Sequence, residues 1–376
     1  GIVGGGGGSN DPLYITLLLS YMRHFVPIAS AAHPLPDGGA VLLEAIAQFW
    51  LCQNAPPAVA AQLSVPQPFQ DTKASVLSCL EHVMTHINAH ECARVRAYGG
   101  YAGASAHAAL RGPMYHYFEK QLQSLPDISS RVISLVRLMV LYLQPWRPPK
   151  PAAGTPAGTN ASGTPTKPAA SGATPGAKGG AAEAAPPISA AAAAAAAEAW
   201  PWAGFVRSNY LLYARLLTSV AHEVHQSRFR LNEKRDVQML REAAALFDTP
   251  HVLTLLRQLG EASEQLLAQT LPQTSPLRAC LVDQLSALEG SDPTRWRTAC
   301  EAYLPAKVYT ELDGMDKYLQ TKMDETRRAQ TQKGFFDGGS TASPMMVAID
   351  ELRNAAQRAM RELQPAGHEA TVRPAE

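Results

Sequence analysis

The sequence has no marked excess of positive or negative charge and has few cysteines. Both features narrow the classes of protein to which it can belong. Its 376 residues include 33 Lys and Arg against 32 Asp and Glu, so no basic excess is present to neutralise phosphates and we expect no nucleic-acid partner. The five cysteines contain no CxxC pair, which favours free thiols in a reducing compartment over a disulfide framework. With 46% apolar residues, the chain can bury one large core or two smaller ones.

Long hydrophobic runs are also missing. The longest apolar stretch, 13–26, contains Arg23 and His24 and runs into Pro27. It has about fourteen residues, whereas a membrane-spanning helix needs about twenty. We therefore expect this chain to be soluble or peripheral. Because it begins with Gly1 and not with methionine, we also expect it to be a fragment of a longer protein.

No segment shows the alternation of a β-strand, and helix signals occur throughout the chain. In five places a capping residue precedes proline, which suits the first turn of a helix because the N–H groups there have no partner within the helix. These pairs are Asp11-Pro12, Thr249-Pro250, Ser275-Pro276, Asp292-Pro293 and Ser343-Pro344. Helical periodicity places further helices at 12–25, 40–52, 72–95, 114–122 and 129–143. The sequence predicts an all-α protein, either an irregular helical bundle or a non-repetitive α-solenoid.

Two aromatic motifs, which we call the anchors, lie on either side of a segment that cannot form a core. The first anchor, Leu143-Gln144-Pro145-Trp146-Arg147, ends a predicted helix, and the second, Trp202-Ala203-Gly204-Phe205-Val206, begins another. Between them, segment 148–189 has one large aliphatic residue, Ile188, among Ala, Gly, Pro, Thr and Ser. This composition predicts a long disordered insertion.

The anchors also set the predicted domain organisation. Four parts follow, namely an N-terminal helical part at 1–147, a low-complexity insertion at 148–199, a C-terminal helical part at 200–365 and a polar tail at 366–376. Ser189 and the alanines after it are expected to form a capped helix that Trp200-Pro201 interrupts. A flexible loop adds closure entropy slowly with length, so helix 131–143 is expected to pack antiparallel to helix 203–224. We favour one folded body, with two independent domains as the alternative.

The anchor motifs resemble the sphingomyelin phosphodiesterase 4 family, also called neutral sphingomyelinase 3. The similarity covers about 132–259 and is interrupted by the long insertion, in which the chain departs from the family. It rests on Tyr142-Leu143-Gln144-Pro145-Trp146-Arg147 followed by Trp202, Phe205, Val206, Asn209 and Tyr213. The resemblance implies Mg-dependent hydrolysis of sphingomyelin to ceramide and phosphocholine. It also implies a location at the cytosolic face of the endoplasmic reticulum or nuclear envelope, with membrane lipid or membrane-associated proteins as partners.

The residues themselves favour a second interpretation. Phosphodiester hydrolysis needs an activated water, a cation for the phosphate charge and an acid for the leaving group. The sequence displays no recognisable set of this kind. The alternative is a non-catalytic α-helical scaffold that binds endomembrane or nuclear-envelope partners. Whether the chain is an enzyme stays open at this point.

The densest group of potential metal ligands lies at 79–92. His82, His86 and His90 recur every four residues, so a helix brings them to one face, and imidazoles spaced in this way suit zinc or another divalent ion. The same row also fits the polar side of an amphipathic helix, because the apolar residues between 77 and 87 form the opposite side. The three histidines are the candidate metal ligands, and His82, His86 and Glu81 are the first residues to test for catalysis.

Other aromatic residues have two interpretations. Tyr115-His116-Tyr117-Phe118 and Phe335-Phe336 suit either a core or a membrane contact, and we expect the core for the first and a turn for the second. Trp146 and Trp202 are assigned to packing, because a tryptophan at a helix end buries a large area.

Overall fold

The computed structural model consists of helices joined by short connections. Every regular element that it describes is helical, which confirms the all-α prediction. Most of the predicted insertion, Asp11-Pro12, Phe335-Phe336 and the polar tail lie outside the described residues. The described residues are 13–28, 35–51, 72–101, 105–123, 130–147, 189–226, 234–246, 248–290, 292–302, 304–334 and 344–364.

The N-terminal part follows the predicted helices with one clear shift. Its elements are α1 (Leu13–Phe25), α2 (Asp37–Ile46), a π-helical turn (Ala47–Leu51), α3 (Ala74–Tyr98), α4 (Ala106–Gln123) and α5 (Ser130–Leu143).

Helix α4 begins eight residues before the predicted start at Met114 and contains Pro113. Its first turn is capped from two sides. The Ser105 hydroxyl accepts a hydrogen bond from the N–H of Ala108, and the Glu91 carboxylate accepts one from the N–H of Ala106. The capping contacts from Ser105 and Glu91 therefore set the start of α4, although Pro113 locally favours a later start.

The C-terminal part shows the expected proline starts. Its helices are α6 (Ala190–Glu198), α7 (Ala203–Ser208), α8 (Tyr210–His225), α9 (Lys234–Leu246), α10 (Pro250–Leu267), α11 (Pro276–Glu289), α12 (Pro293–Ala302), α13 (Pro305–Gly334) and α14 (Pro344–Leu363). Asp292 caps α12 by accepting from the N–H of Thr294, whereas Thr249 and Ser275 make no side-chain cap. Proline itself is the more reliable start signal in this chain.

The alanine tract forms a helix, as predicted. The Ser189 hydroxyl accepts a hydrogen bond from the N–H of Ala192 at 3.2 Å and so caps α6. Helix α6 packs against α10 with Ala197 fully buried, and it ends before Trp200-Pro201. The end of the predicted insertion is thus part of the folded body.

One connected core runs through both helical parts. Helix α8 lies near its centre and buries a stripe made of Tyr210, Tyr213, Leu217, Val220 and Val224. Leu211, Leu212 and Leu216 are buried as well. A Cβ on Gly314 would lie 2.6 Å from the His225 ring, so α13 approaches α8 closely at this glycine. Helix α8 therefore has neighbours on more than one side.

The two anchors meet in space. The Trp146 ring lies 4.7 Å from the Trp200 ring and 6.1 Å from the Trp202 ring, between centroids. Trp202 is buried, which confirms its assignment to packing. Tyr142 donates a hydrogen bond to the Asn209 side chain, and Tyr213 donates one to the Leu143 carbonyl. The motif residues on either side of the insertion thus form one junction, which we call the anchor junction.

The neighbours of helix α5 differ from the predicted ones. It lies alongside α3 and α9, and it contacts α7 and α8 at its C-terminal end through Tyr142 and Leu143. Leu135, Leu138 and Met139 are all buried, so α5 has apolar residues on more than one side and needs two long neighbours. Contact at the end of α5 takes the place of the expected antiparallel packing, and the predicted helix 203–224 is divided at Asn209 into α7 and α8.

The anchor junction generates a stability prediction. Phe205 is fully buried among the rings of Tyr101, His107, Tyr142 and Trp202. Phe205→Ala should lower the free energy of unfolding by about 3–5 kcal/mol, because the substitution removes these contacts and leaves a cavity. Urea denaturation followed by circular dichroism measures the change.

The matched control is Phe49→Ala, because Phe49 is 73% exposed. This substitution should change stability by less than about 0.5 kcal/mol. Equal losses for the two variants would contradict the role given to Phe205.

Candidate functional site

The three candidate metal ligands lie on α3, but each ring has its own surroundings. His82 Nδ1 lies 2.8 Å from the carbonyl of Ser78, one turn earlier in the helix. His86 Nε2 lies 2.8 Å from the carbonyl of Val26 and is buried. His90 is buried with Nδ1 3.4 Å from a Glu91 carboxylate oxygen. The three imidazoles are thus directed to different acceptors.

The described residues do not supply a ligand set for the expected magnesium ion. In the described ranges, no group of three or more His, Cys, Asp or Glu side chains is placed to hold a metal. Magnesium also prefers oxygen ligands, whereas three imidazoles offer nitrogen, so these residues do not fit that ion. A metal site at His82, His86 and His90 stays a prediction.

Glu91 forms the centre of a buried polar cluster. Its carboxylate lies 3.4 Å from His90 Nδ1 and 3.8 Å from an Arg94 nitrogen, and it accepts the N–H of Ala106 at 2.9 Å. Burial raises the pKa of this carboxyl, but the adjacent His90 ring, the hydrogen bond from Ala106 and the charge of Arg94 more than compensate, so the net pKa is lowered. The cluster fixes the start of α4 against α3.

His107 extends this cluster toward the anchor junction. Its Nε2 lies 2.9 Å from the side-chain oxygen of Asn88, whose amide donates to the carbonyl of Leu141. Complete burial lowers the pKa of His107 to about 4, so the ring is neutral near pH 7 and Nε2–H is the donor. These hydrogen bonds tie α3, α4 and α5 together, which is a structural role.

The described cysteines are free thiols in unreactive surroundings. Burial raises the pKa of Cys79, Cys92 and Cys280, and it raises the pKa of Cys300 to about 11. A nucleophilic cysteine requires a lowered pKa, because the thiolate is the reactive form. These four thiols are therefore poor candidates for covalent catalysis.

A groove with uncovered apolar walls lies between α1, α2, the π-helical turn and the start of α3. We call it the α1 groove, and its volume is about 680 Å³. Several of its large side chains are strongly exposed, with Tyr14 at 51%, Leu17 at 49%, Tyr21 at 55% and Phe49 at 73%. Its lining consists of Tyr14, Leu17, Leu18, Tyr21, Ala45, Ile46, Phe49, Trp50, Lys73 and Val76.

Two apolar stripes on α1 produce this groove. Ile15, Leu18 and Met22 recur at helical spacing and are buried in the core. Tyr14, Leu17 and Tyr21 form a second stripe, displaced by one residue, which faces the groove. A single surface helix needs one apolar stripe to pack on its own protein, so the second stripe is available for another contact.

The π-helical turn brings the opposite wall into place. A π-turn adds one residue to the helical turn and shifts the side chains that follow, and such turns are frequent at functional sites. Here it places Trp50 beside Tyr14, with ring centroids 6.0 Å apart at an angle of 62°. Aromatic rings from two separate elements therefore line one groove.

Sequence reasoning missed the α1 groove, although a signal for it was present. The stretch 13–26 is apolar but too short to span a membrane. Its large apolar residues occupy two helical stripes at once, and this excess indicates a second contact surface. Nothing comparable in the sequence predicts the π-helical turn at 47–51.

Two further grooves have a mixed lining. One, of about 1010 Å³ between α7, α10 and α11, contains Glu198, Arg207 and Glu261. The other, of about 830 Å³ beside the 268–275 connection, contains Arg278 and Trp296. The α1 groove is the most apolar of the three by its lining residues.

Comparison with known proteins adds no family assignment, because no family model, curated protein or solved structure matches this chain. None of the helices in the described ranges has both the length and the apolar character that crossing a membrane requires. The described residues thus form an all-α protein with an apolar groove in which Tyr14, Leu17, Tyr21 and Phe49 are about half exposed or more.

The buried cluster generates a pH-dependent prediction. The folded-state pKa of Glu91 is lowered from 4.5, so its charged form stabilises the fold above that pH and the contribution disappears as the pH falls. Glu91→Gln should lower the free energy of unfolding at pH 7 by about 1–3 kcal/mol, because Arg94 loses its charged partner.

Urea denaturation between pH 7 and pH 3 tests this prediction. The difference between wild type and Glu91→Gln should shrink below about pH 4.5, where the carboxyl of the unfolded chain takes up a proton, and should be lost as the pH falls through the lower folded-state pKa. Glu261→Gln, at an exposed carboxylate, is the control and should show no such dependence. A constant difference across the range for Glu91→Gln would contradict the assignment.

Proposed function

We propose that this chain is a non-catalytic α-helical module that binds membrane-associated partner proteins through the α1 groove. The observation that carries the proposal is the uncovered second stripe of α1, with Leu17 and Tyr21 about half exposed. Outside this region, the large apolar side chains in the described ranges are mostly buried, with Leu13, Ile28, Val41, Tyr98 and Val347 as the exceptions.

The free energy available in the groove is sufficient for specific binding. Covering a Leu or Phe side chain contributes roughly 1.5–3 kcal/mol, and several such residues lie together here. Aromatic side chains are enriched at the centres of protein interfaces, because they bury large areas with little loss of conformational entropy. Tyr14, Tyr21, Phe49 and Trp50 provide such a centre.

The surroundings of the titratable groups support a non-catalytic role. His86 and His90 are buried and hydrogen-bonded or paired within the fold, and the four described thiols have raised pKa values. Sphingomyelin hydrolysis and membership of the sphingomyelin phosphodiesterase 4 family remain predictions that rest on the anchor motifs. The same resemblance is the reason to look for partners at the endoplasmic reticulum and the nuclear envelope.

Retention of partners from a detergent-solubilised membrane extract tests the proposal. Wild type should retain a reproducible set of proteins that Leu17→Asp no longer retains, because a buried charge in the groove is costly. Val347→Asp is the matched control, since Val347 is also a partly exposed apolar residue, on α14. Loss of no protein with Leu17→Asp would contradict the proposal.

An assay of sphingomyelin hydrolysis uses the same protein preparations. Wild type is incubated with sphingomyelin vesicles with and without Mg²⁺, and phosphocholine release is measured. We expect no release above the blank. Release by wild type that is abolished in His82→Ala would overturn the non-catalytic proposal in favour of the phosphodiesterase, because His82 is the least buried of the three histidines.

A further inference from the structure

We propose that the occupant of the α1 groove is an amphipathic helix of the partner protein that carries an acidic residue beside its apolar anchors. This inference rests on the proposed function and specifies the chemistry of the partner. Its support comes from the shape of the groove, its length along α1 and the charge of its lining.

The shape of the groove fits side chains inserted from a helix. Leu18 and Ile46 form the floor and are largely buried, while Tyr14, Tyr21 and Phe49 rise on the walls and are exposed. Helices bind such grooves by inserting residues at positions i, i+3 or i+4, and i+7. A volume of about 680 Å³ accommodates several large apolar side chains.

The length of the groove matches the same spacing. Tyr14 and Tyr21 are seven residues apart on α1, which corresponds to about 10.5 Å along the helix axis. Anchors at i and i+7 on a partner helix span the same distance. A partner helix lying along α1 therefore presents one anchor to each end of the groove and a third to the middle, beside Leu17.

The charge of the lining indicates an acidic partner. Lys73 is the one charged side chain among the lining residues, and it is exposed at the start of α3. Helix α1 itself contains no Asp or Glu. A carboxylate on the partner helix would pair with Lys73, and such a pair contributes mainly to specificity and orientation at an interface rim.

Two other occupants fit less well. A bilayer surface favours apolar side chains that protrude together, whereas the floor residues Leu18 and Ile46 lie below the walls. A second copy of this chain would bring another groove and another Lys73, and no carboxylate from the lining. Both occupants are outcomes of the test below.

Selection from a display library of helical peptides of about 18 residues, about 27 Å long, tests the inference. Selected peptides should share apolar residues at helical spacing and an adjacent Asp or Glu. Fluorescence anisotropy with one selected peptide should show binding weakened about tenfold or more by Leu17→Asp, and by Phe49→Asp as a second variant. Val347→Asp should change the dissociation constant by less than about twofold, and circular dichroism confirms that each variant is folded.

A charge exchange identifies the role of Lys73. Lys73→Glu should weaken the acidic peptide several-fold, and changing the acidic residue of the peptide to Lys should restore binding to Lys73→Glu. Glutamate at this position is compatible with the fold because it lies at the N-terminus of α3, where a negative charge is favourable. Binding that is indifferent to both changes would overturn the acidic part of the inference.

Parallel measurements distinguish the other occupants. Flotation with vesicles of phosphatidylcholine and phosphatidylserine, or a dimer in light scattering, that depends on Leu17 would overturn the inference in favour of a lipid surface or a second copy. A selection that yields no peptide dependent on Leu17 also overturns it. If membrane extracts still yield partners dependent on Leu17, the proposed function stands while this inference fails.

Discussion

The contact between the two anchors is the interaction on which the structure depends. Trp146 lies at the end of the N-terminal helical part, and Trp200 and Trp202 lie between α6 and α7 of the C-terminal part. Their rings pack together although about fifty residues separate them in the sequence. The phenol of Tyr142 and the side chain of Asn209 add a buried hydrogen bond to this junction. Since aromatic rings at a helix end bury large areas, the junction supplies both the fixed geometry and the stability that hold the two parts in one core.

The rest of the body extends from this junction. The neutral ring of His107 contacts Phe205 and Tyr142. It is also hydrogen-bonded to Asn88 on α3, which in turn donates to the Leu141 carbonyl on α5. Glu91 then fixes the start of α4. The buried polar groups His107, Asn88 and Glu91 therefore position helices. The α1 groove lies elsewhere in the described structure, where Tyr14, Leu17 and Tyr21 remain about half exposed.

Sequence patterns predicted much of the fold and none of the site that we favour. Proline starts at Pro250, Pro276 and Pro293 and the cap at Ser189 depend on local backbone chemistry, which is visible in a few residues. The early start of α4 was not predictable, because Glu91 reaches it from another helix. The α1 groove was not predictable for a similar reason. Helical periodicity shows that α1 has two apolar stripes, but it does not show which of them packs into the core. The surroundings of His82, His86 and His90 likewise depend on tertiary contacts.

The most direct test of the central claim is cleavage within the insertion. A recognition site for a specific protease is placed at 165–175, the purified protein is cut to completion, and the products are analysed by size-exclusion chromatography. If the anchor junction holds the two parts in one body, both pieces should elute together at the volume of the uncut protein and separate only in denaturant. Separate elution of the two pieces under native conditions would contradict the account.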